Sequence, residues 1–118
     1  MVFAVRVGLV IGMLAGGVAC TSASDDSGVD PMCVDGPELT WESWGEAYFA
    51  TYCDACHAAD SPNRFGATES VSFDTRAEAK EWEERIRVRV LEEGTMPLGG
   101  GVGEDDLYLL DVYLACGL

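Results

Sequence analysis

Near the middle of the chain lies the string Cys53-Asp54-Ala55-Cys56-His57, in which two cysteines one helical turn apart are followed at once by a histidine. This histidine is the only one in the 118 residues. The folded unit around the stretch runs from about Cys33 to Leu118, and a core of that size rarely stabilises itself without a metal, a cofactor or disulfides. The segment is therefore where we expect the stabilising group to bind.

A Cys-x-x-Cys-His string is the attachment signature of a c-type haem. The thiols of Cys53 and Cys56 would form thioethers with the two vinyl groups of one porphyrin, and His57 would meet the iron on the same side. A thioredoxin-like redox pair would need a βαβ context, and a zinc site would need a second pair of ligands. The chain has no other histidine and no second Cys-x-x-Cys, so it predicts one covalent haem c.

The second axial ligand of the iron is predicted to be Met96, in the segment Gly94-Thr95-Met96-Pro97. Met96 lies outside every predicted apolar face, and Pro97 biases its backbone towards an extended conformation that turns the thioether into a haem crevice. Met1 and Met13 fall in the predicted signal peptide, and Met32 precedes the domain. The alternative is that Met96 packs on the haem edge and leaves the iron five-coordinate.

Aromatic residues upstream of the motif predict a first helix with Thr40 as its N-cap. They recur at spacings of 3, 4 and 4: Trp41, Trp44, Tyr48 and Tyr52. A last helix is predicted after Gly103, with acidic residues in its first turn and Gly117 at its end. Its apolar face comprises Leu107, Leu110 and Leu114, with Tyr113 beside them.

The middle of the chain carries a capping-box pattern at Thr75 and Glu78 that predicts a further helix. Its apolar residues follow helical spacing: Ala79, Trp82, Ile86 and Val90. The alternation of apolar residues with arginines between Arg85 and Val90 is also compatible with a strand. Trp82 and the cap favour the helix.

The N-terminal part predicts export. Residues 1–19 have the apolar run and small terminal residues of a signal peptide, and residues 20–32 read as a flexible linker. The string Gly17-Val18-Ala19-Cys20 resembles the lipobox of bacterial lipoproteins, which makes Cys20 the candidate site of a lipid anchor. The alternative is an ordinary secreted protein with a chance cysteine near the cleavage site.

The charge balance is strongly acidic, with 21 Asp and Glu against 7 Lys and Arg and a formal net charge of −14. This argues against a nucleic-acid partner and against electrostatic attachment to anionic lipid, because both need clustered basic side chains. It favours redox partner proteins with basic patches. Membrane contact is expected only through the anchor at Cys20.

Residues 41–116 resemble a small class I c-type cytochrome. The resemblance rests on the aromatic first helix that runs into the motif, the middle helix, the Met96-Pro97 loop and the amphipathic last helix. It implies an all-α, cytochrome c-like fold of three main helices around one covalently attached haem in residues 33–118. The leading hypothesis is a monomeric electron carrier and not an enzyme, because the chain has no second histidine and no obvious acid-base pair. The signal peptide predicts that it works in the periplasm.

The same resemblance implies contacts between the chain ends. In the family the first and last helices cross where a small residue meets an aromatic one, here Gly45 against Tyr113 or Tyr108. Such packing brings Cys33 and Cys116 together, and an exported protein permits a disulfide between them.

One contact in the haem surroundings also follows from the resemblance. A loop carbonyl should accept a hydrogen bond from the axial histidine, and Pro62 is the nearest candidate. Trp82, Arg85 and Arg87 are candidates for contact with the haem propionates, and Pro97 for the pocket wall. Two other functions remain open: a ligand-binding, sensory or peroxidase-like haem domain with an open sixth position, and a disulfide-linked module without haem.

Overall fold

The computed structural model of the protein describes residues 28–118. The predicted signal peptide at 1–19 and the candidate lipid anchor at Cys20 lie outside the described residues. All regular structure in residues 28–118 is helical, so the all-α prediction is confirmed at that level. The helices are α1 (Pro31–Asp35), α2 (Trp41–Gly45 continuing as Glu46–Tyr52), α3 (Asp54–His57), α4 (Arg76–Glu81, Glu83–Ile86 and Arg87–Glu92 in succession) and α5 (Glu104–Cys116).

Helix α2 begins with a two-way cap. The Ser43 amide donates to Thr40 Oγ1 at 3.1 Å, and the Thr40 amide donates to Ser43 Oγ at 2.9 Å. Two of the amide donors at the start of the helix are thereby satisfied. Phe49, which the aromatic stripe of the sequence did not include, is fully buried in the core.

Helix α4 confirms the prediction of a helix over a strand. Thr75 Oγ1 accepts from the Glu78 amide at 3.3 Å, and the predicted apolar face is turned inward, with Ala79 and Ile86 buried. Trp82 interrupts the helix with backbone angles of φ −101° and ψ 8°. In the last segment, Arg87–Glu92, the turns are of the wider π type.

Helix α5 supplies the centre of the core. Its residues Leu110, Tyr113 and Leu114 are almost completely buried, and the Gly117 amide ends the helix by donating to the Tyr113 carbonyl at 2.8 Å. Tyr113, not Tyr108, is the aromatic residue that meets α2. Tyr108 stands five positions earlier on the helix and therefore faces another direction, with 53% of its surface exposed.

Helix α1 was not predicted. It begins at Pro31, so its first two residues belong to the predicted linker at 20–32. The Met32 amide donates to Asp30 Oδ1 at 2.9 Å at its start. Cys33 on α1 and Cys116 at the end of α5 form a disulfide with an S–S distance of 1.99 Å and a Cα–Cα distance of 5.4 Å. In the part of the chain from residue 28 onward, no helix has the length and apolar character needed to cross a bilayer.

Candidate functional site

The Cys-x-x-Cys-His segment forms one compact turn at the end of α2. The amides of Cys56 and His57 both donate to the Cys53 carbonyl, at 3.1 and 2.9 Å. Cys53 and Cys56 are free thiols. Burial raises the pKa of the Cys53 thiol to about 12, with a further contribution from the Asp54 carboxylate. A buried thiol that stays protonated at neutral pH does not suit a reactive redox dithiol, which depends on a thiolate.

The His57 ring is oriented by two contacts. Its Nδ1 lies 3.1 Å from the Val71 carbonyl oxygen, and its centroid lies 4.9 Å from that of Phe73. A ring that donates through Nδ1–H keeps the Nε2 lone pair for another bond. The Phe73 amide donates to the His57 carbonyl at 3.2 Å, so the packing aromatic is itself tied to the histidine.

Val71, and not Pro62, provides the carbonyl that faces the imidazole. Pro62 is exposed and borders neither of the cavities described below. The physical reason is the path of the loop after α3: the Val71 amide donates to the Thr68 carbonyl at 3.0 Å, and this turn brings residue 71 back over α3. Sequence proximity to the histidine therefore indicated the wrong loop residue.

A cavity of about 390 Å³ lies beside α3, between α2 and α4. Most of its wall is apolar or aromatic, and the wall includes Tyr48, Cys53, His57, Trp82, Ile86 and Met96. A second cavity of about 240 Å³ adjoins it and includes Cys56 in its wall. Cys53, His57, Met96 and Pro97 border both cavities, so the two form one cleft with shared walls.

Met96 lies in a loop, as predicted, and its backbone is held by α4. The amides of Thr95 and Met96 donate to the Arg89 carbonyl at 2.9 and 3.1 Å. The peptide bond between Met96 and Pro97 is cis. The two amide hydrogen bonds to Arg89 hold the loop so that Met96 borders the same cleft as His57, although the two residues are 39 positions apart.

The three arginines of the second half of α4 lie on two faces of the helix, one that borders the cleft and one that faces α5. Arg85 borders the cleft, as expected, and so does Arg89, which the sequence analysis did not select. Arg87, also a candidate for the pocket, forms an ion pair with Asp111 of α5 and does not border the cleft. Positions 82, 85 and 89 share one helix face, whereas 87 lies on another, and this spacing could have identified Arg89.

Two polar groups in the cleft wall have no partner within residues 28–118. Arg85 forms no ion pair or hydrogen bond there, whereas Arg89 pairs with Glu93 at 2.9 Å. The Tyr48 hydroxyl is buried and unpaired, and burial, followed by the nearby Cys53, raises its pKa. A buried polar group without a partner is costly, so the Tyr48 hydroxyl indicates a site that accepts a polar ligand, whereas Arg85 is exposed to solvent.

Arg64 is a further residue of the site that the sequence analysis missed. Its guanidinium donates to the carbonyls of Ala58, Thr68 and Val71, at 2.5, 2.9 and 2.7 Å. Arg64 also borders the smaller cavity. No pattern in the sequence marks it, because all its acceptors are backbone carbonyls, which every residue carries.

Among residues 28–118, no group of three or more His, Cys, Asp or Glu side chains is arranged to hold a metal ion. No protein-family model, no curated protein and no solved structure matches this chain.

Proposed function

We propose that the protein is a single-haem electron carrier with a class I cytochrome c fold. Cys53 and Cys56 would hold one c-type haem covalently, and His57 and Met96 would ligate its iron. The observation that carries the proposal is the cleft that has both thiols, the imidazole and the thioether in its walls. These are the attachment and axial groups that a c-type haem uses.

The chemistry of the cleft fits the group. The Val71 carbonyl occupies Nδ1 of His57, which leaves Nε2 for an iron atom. The apolar walls suit the porphyrin face. The unpaired Arg85 guanidinium and the buried Tyr48 hydroxyl would offer a cation and a hydrogen-bond donor to the propionates.

The helical architecture supports the same class. Helix α2 leads directly into the motif, α4 and the Met96 loop form the opposite wall, and α5 crosses α2 at Gly45 and Tyr113. This arrangement agrees with the family's three main helices and its close contact between the first and last helix.

When bound, the haem supplies one-electron exchange at its iron. His57 and Met96 would stay bound in both oxidation states, so little protein geometry would change on transfer. The soft Met96 thioether would stabilise the ferrous state and the apolar wall would disfavour added charge, and both effects would raise the reduction potential. The residues of the cleft would thus bind and orient the haem and exclude water from it. None of these roles needs acid-base chemistry.

The carrier would lie outside the cytoplasm, tethered to a membrane through a lipid on Cys20. The Cys33–Cys116 disulfide is typical of an oxidising compartment. With a formal net charge of −14, the carrier would associate with redox partners through basic patches on their surfaces.

The decisive experiment is an absorption spectrum of the full chain, produced with haem-attachment machinery. We expect sharp reduced-state bands and the weak long-wavelength ferric band of methionine-ligated haem. Met96→Ala should remove that band, whereas Met32→Ala, on α1 away from the cleft, should retain it. Absence of the band in the unmodified protein, with ready binding of carbon monoxide to the ferrous form, would support the open-site alternative.

Mass spectrometry separates the carrier from a module without haem. Protein with Cys53→Ser and Cys56→Ser together should lose the covalent porphyrin, whereas Cys116→Ser should keep it. A colourless unmodified protein whose mass lacks a porphyrin would refute the proposal.

Mass spectrometry of mature protein from the membrane fraction tests lipidation. Cys20→Ser should abolish the added mass of a diacylglycerol.

A further inference from the structure

The Val71 carbonyl oxygen has two donors. His57 Nδ1 lies 3.1 Å away, and Arg64 Nη2 lies 2.7 Å away. A carbonyl oxygen has two lone pairs, so both are engaged. The hydrogen bond from Arg64 is shorter than the one from His57, and its donor group carries a full positive charge. Charge-assisted hydrogen bonds are roughly twice as strong as neutral ones. The histidine therefore shares its acceptor with a stronger competitor.

Arg64 is held in this position by the loop that follows α3. Its Nη1 donates to the Ala58 carbonyl at 2.5 Å, and its Nη2 also donates to the Thr68 carbonyl at 2.9 Å. The guanidinium is half-buried and forms no ion pair with a carboxylate within residues 28–118. A planar fork with several fixed donors suits this bridging role, which a lysine ammonium does not reproduce.

We propose that Arg64 is a positioning residue for His57: it fixes the Val71 carbonyl against Nδ1 and weakens that carbonyl as an acceptor. The inference rests on the proposed function, because its main consequence concerns a haem iron bound at Nε2. Partners of the distal nitrogen set the ring orientation and the basicity of a ligating histidine. An imidazole whose N–H bond is less polarised donates less electron density to iron, which favours the ferrous state.

Removal of Arg64 should therefore lower the reduction potential of the bound haem. In Arg64→Met the turn in which the Val71 amide donates to the Thr68 carbonyl would still hold residue 71, and its carbonyl would accept from Nδ1–H alone. We expect the ferrous-to-ferric ratio at a fixed solution potential to fall by up to about tenfold, equivalent to about 59 mV for a one-electron couple. The exchange rate of the His57 Nδ1 proton with solvent should change as well.

Three variants separate the hydrogen bond from the charge. Arg64→Met removes both, Arg64→Lys keeps the charge but cannot bridge three carbonyls, and Arg76→Met removes an exposed arginine that donates only to the Gly117 carbonyl. The proposal expects Arg64→Lys to resemble Arg64→Met, and Arg76→Met to resemble the unmodified protein. If lysine restores the original potential, charge alone is responsible and the proposal is overturned.

The readouts also distinguish failure of this inference from failure of the proposed function. The protein's mass and its absorption spectrum first establish whether haem is attached. If haem is absent, the electron-carrier proposal is refuted, and no shift in reduction potential can be measured. With haem attached, an unchanged potential and unchanged Nδ1 proton exchange in Arg64→Met would overturn only the role of Arg64. Loss of the methionine band in Arg64→Met would also overturn it, because the loop would then act on Met96. Should Arg64→Met not fold, Arg64→Lys and Arg64→Gln provide the same comparison.

Discussion

Gly45 lies directly against the ring of Tyr113, and this contact sets the distance between α2 and α5. A Cβ atom placed on Gly45 would stand 2.6 Å from the Tyr113 hydroxyl oxygen and 2.7 Å from Cζ. Trp44 packs on the same ring with its centroid 5.5 Å away. The absence of a side chain at position 45 thus allows the two helices to approach closely and bury Tyr113 completely.

Substitution of Gly45 should therefore destabilise the fold. In Gly45→Ala the methyl group overlaps a buried ring that cannot move freely, so we expect a loss of about 1–3 kcal/mol in the free energy of unfolding. Urea denaturation measures it. Gly103→Ala is the matched control, because no atom lies within 4 Å of its new Cβ. Equal losses in the two variants would contradict the role of the contact.

The Tyr113 hydroxyl should weaken the fold at alkaline pH. Burial raises its pKa to about 12, and it finds no hydrogen-bond partner within residues 28–118. Between about pH 10 and 12 the unfolded tyrosine ionises while the folded one stays protonated, so the free energy of unfolding falls as pH rises.

Tyr113→Phe tests this directly. We expect the variant to gain about 1 kcal/mol near neutral pH, because an unpaired buried hydroxyl is removed. Its stability should also decline less steeply between about pH 10 and 12. Tyr108→Phe, at an exposed position, is the control. An unchanged alkaline slope in Tyr113→Phe would show that another group causes the decline.

The Cys33–Cys116 disulfide should contribute several kcal/mol. It closes a loop between residues 83 positions apart, and the chain-entropy treatment gives about 4.5 kcal/mol for a loop of that length. Cys33→Ser, Cys116→Ser and the double variant should all lose a similar amount in denaturation experiments. A reductant should destabilise the unmodified protein but not the double variant; equal effects on both would contradict the prediction.

Arg85 and Arg87 should differ in their effect on the bound haem. Arg85 borders the cleft without a partner, whereas Arg87 is paired with Asp111 outside it. Removal of an unpaired cation beside the haem favours the ferric state, so Arg85→Met should lower the reduction potential. Arg87→Met should change it less and should mainly reduce stability, by up to about 1 kcal/mol. Potentiometric titration checks both, and a larger shift in Arg87→Met would refute the assignment.

Helices were predictable because their signals are local. The spacing of apolar residues predicted α2, α4 and α5, and Thr40 and Thr75 cap their helices as expected. The aromatic stripe missed Phe49, however, because a stripe shows which face is apolar and not how far the surrounding helices cover it. Helix α1 was missed because five residues carry too little periodicity to be detected.

The residues around the site were less predictable because they depend on loop paths. Proximity to the motif favours Pro62, yet the loop turns so that Val71 faces His57. Arg87 lies two positions after Arg85, but the face of α4 that borders the cleft carries Arg85 and Arg89.

The residues that carry the chemistry can be read from the sequence alone: two thiols and an imidazole on one turn, a loop methionine, and a cysteine near each end of the folded part. These follow from covalent spacing and helical periodicity, which act over a few residues. The fold is needed to show which carbonyl holds the imidazole, which arginine donates to that carbonyl and how closely α2 approaches α5. Those contacts join residues far apart in the chain, and their geometry depends on the packing of the whole fold.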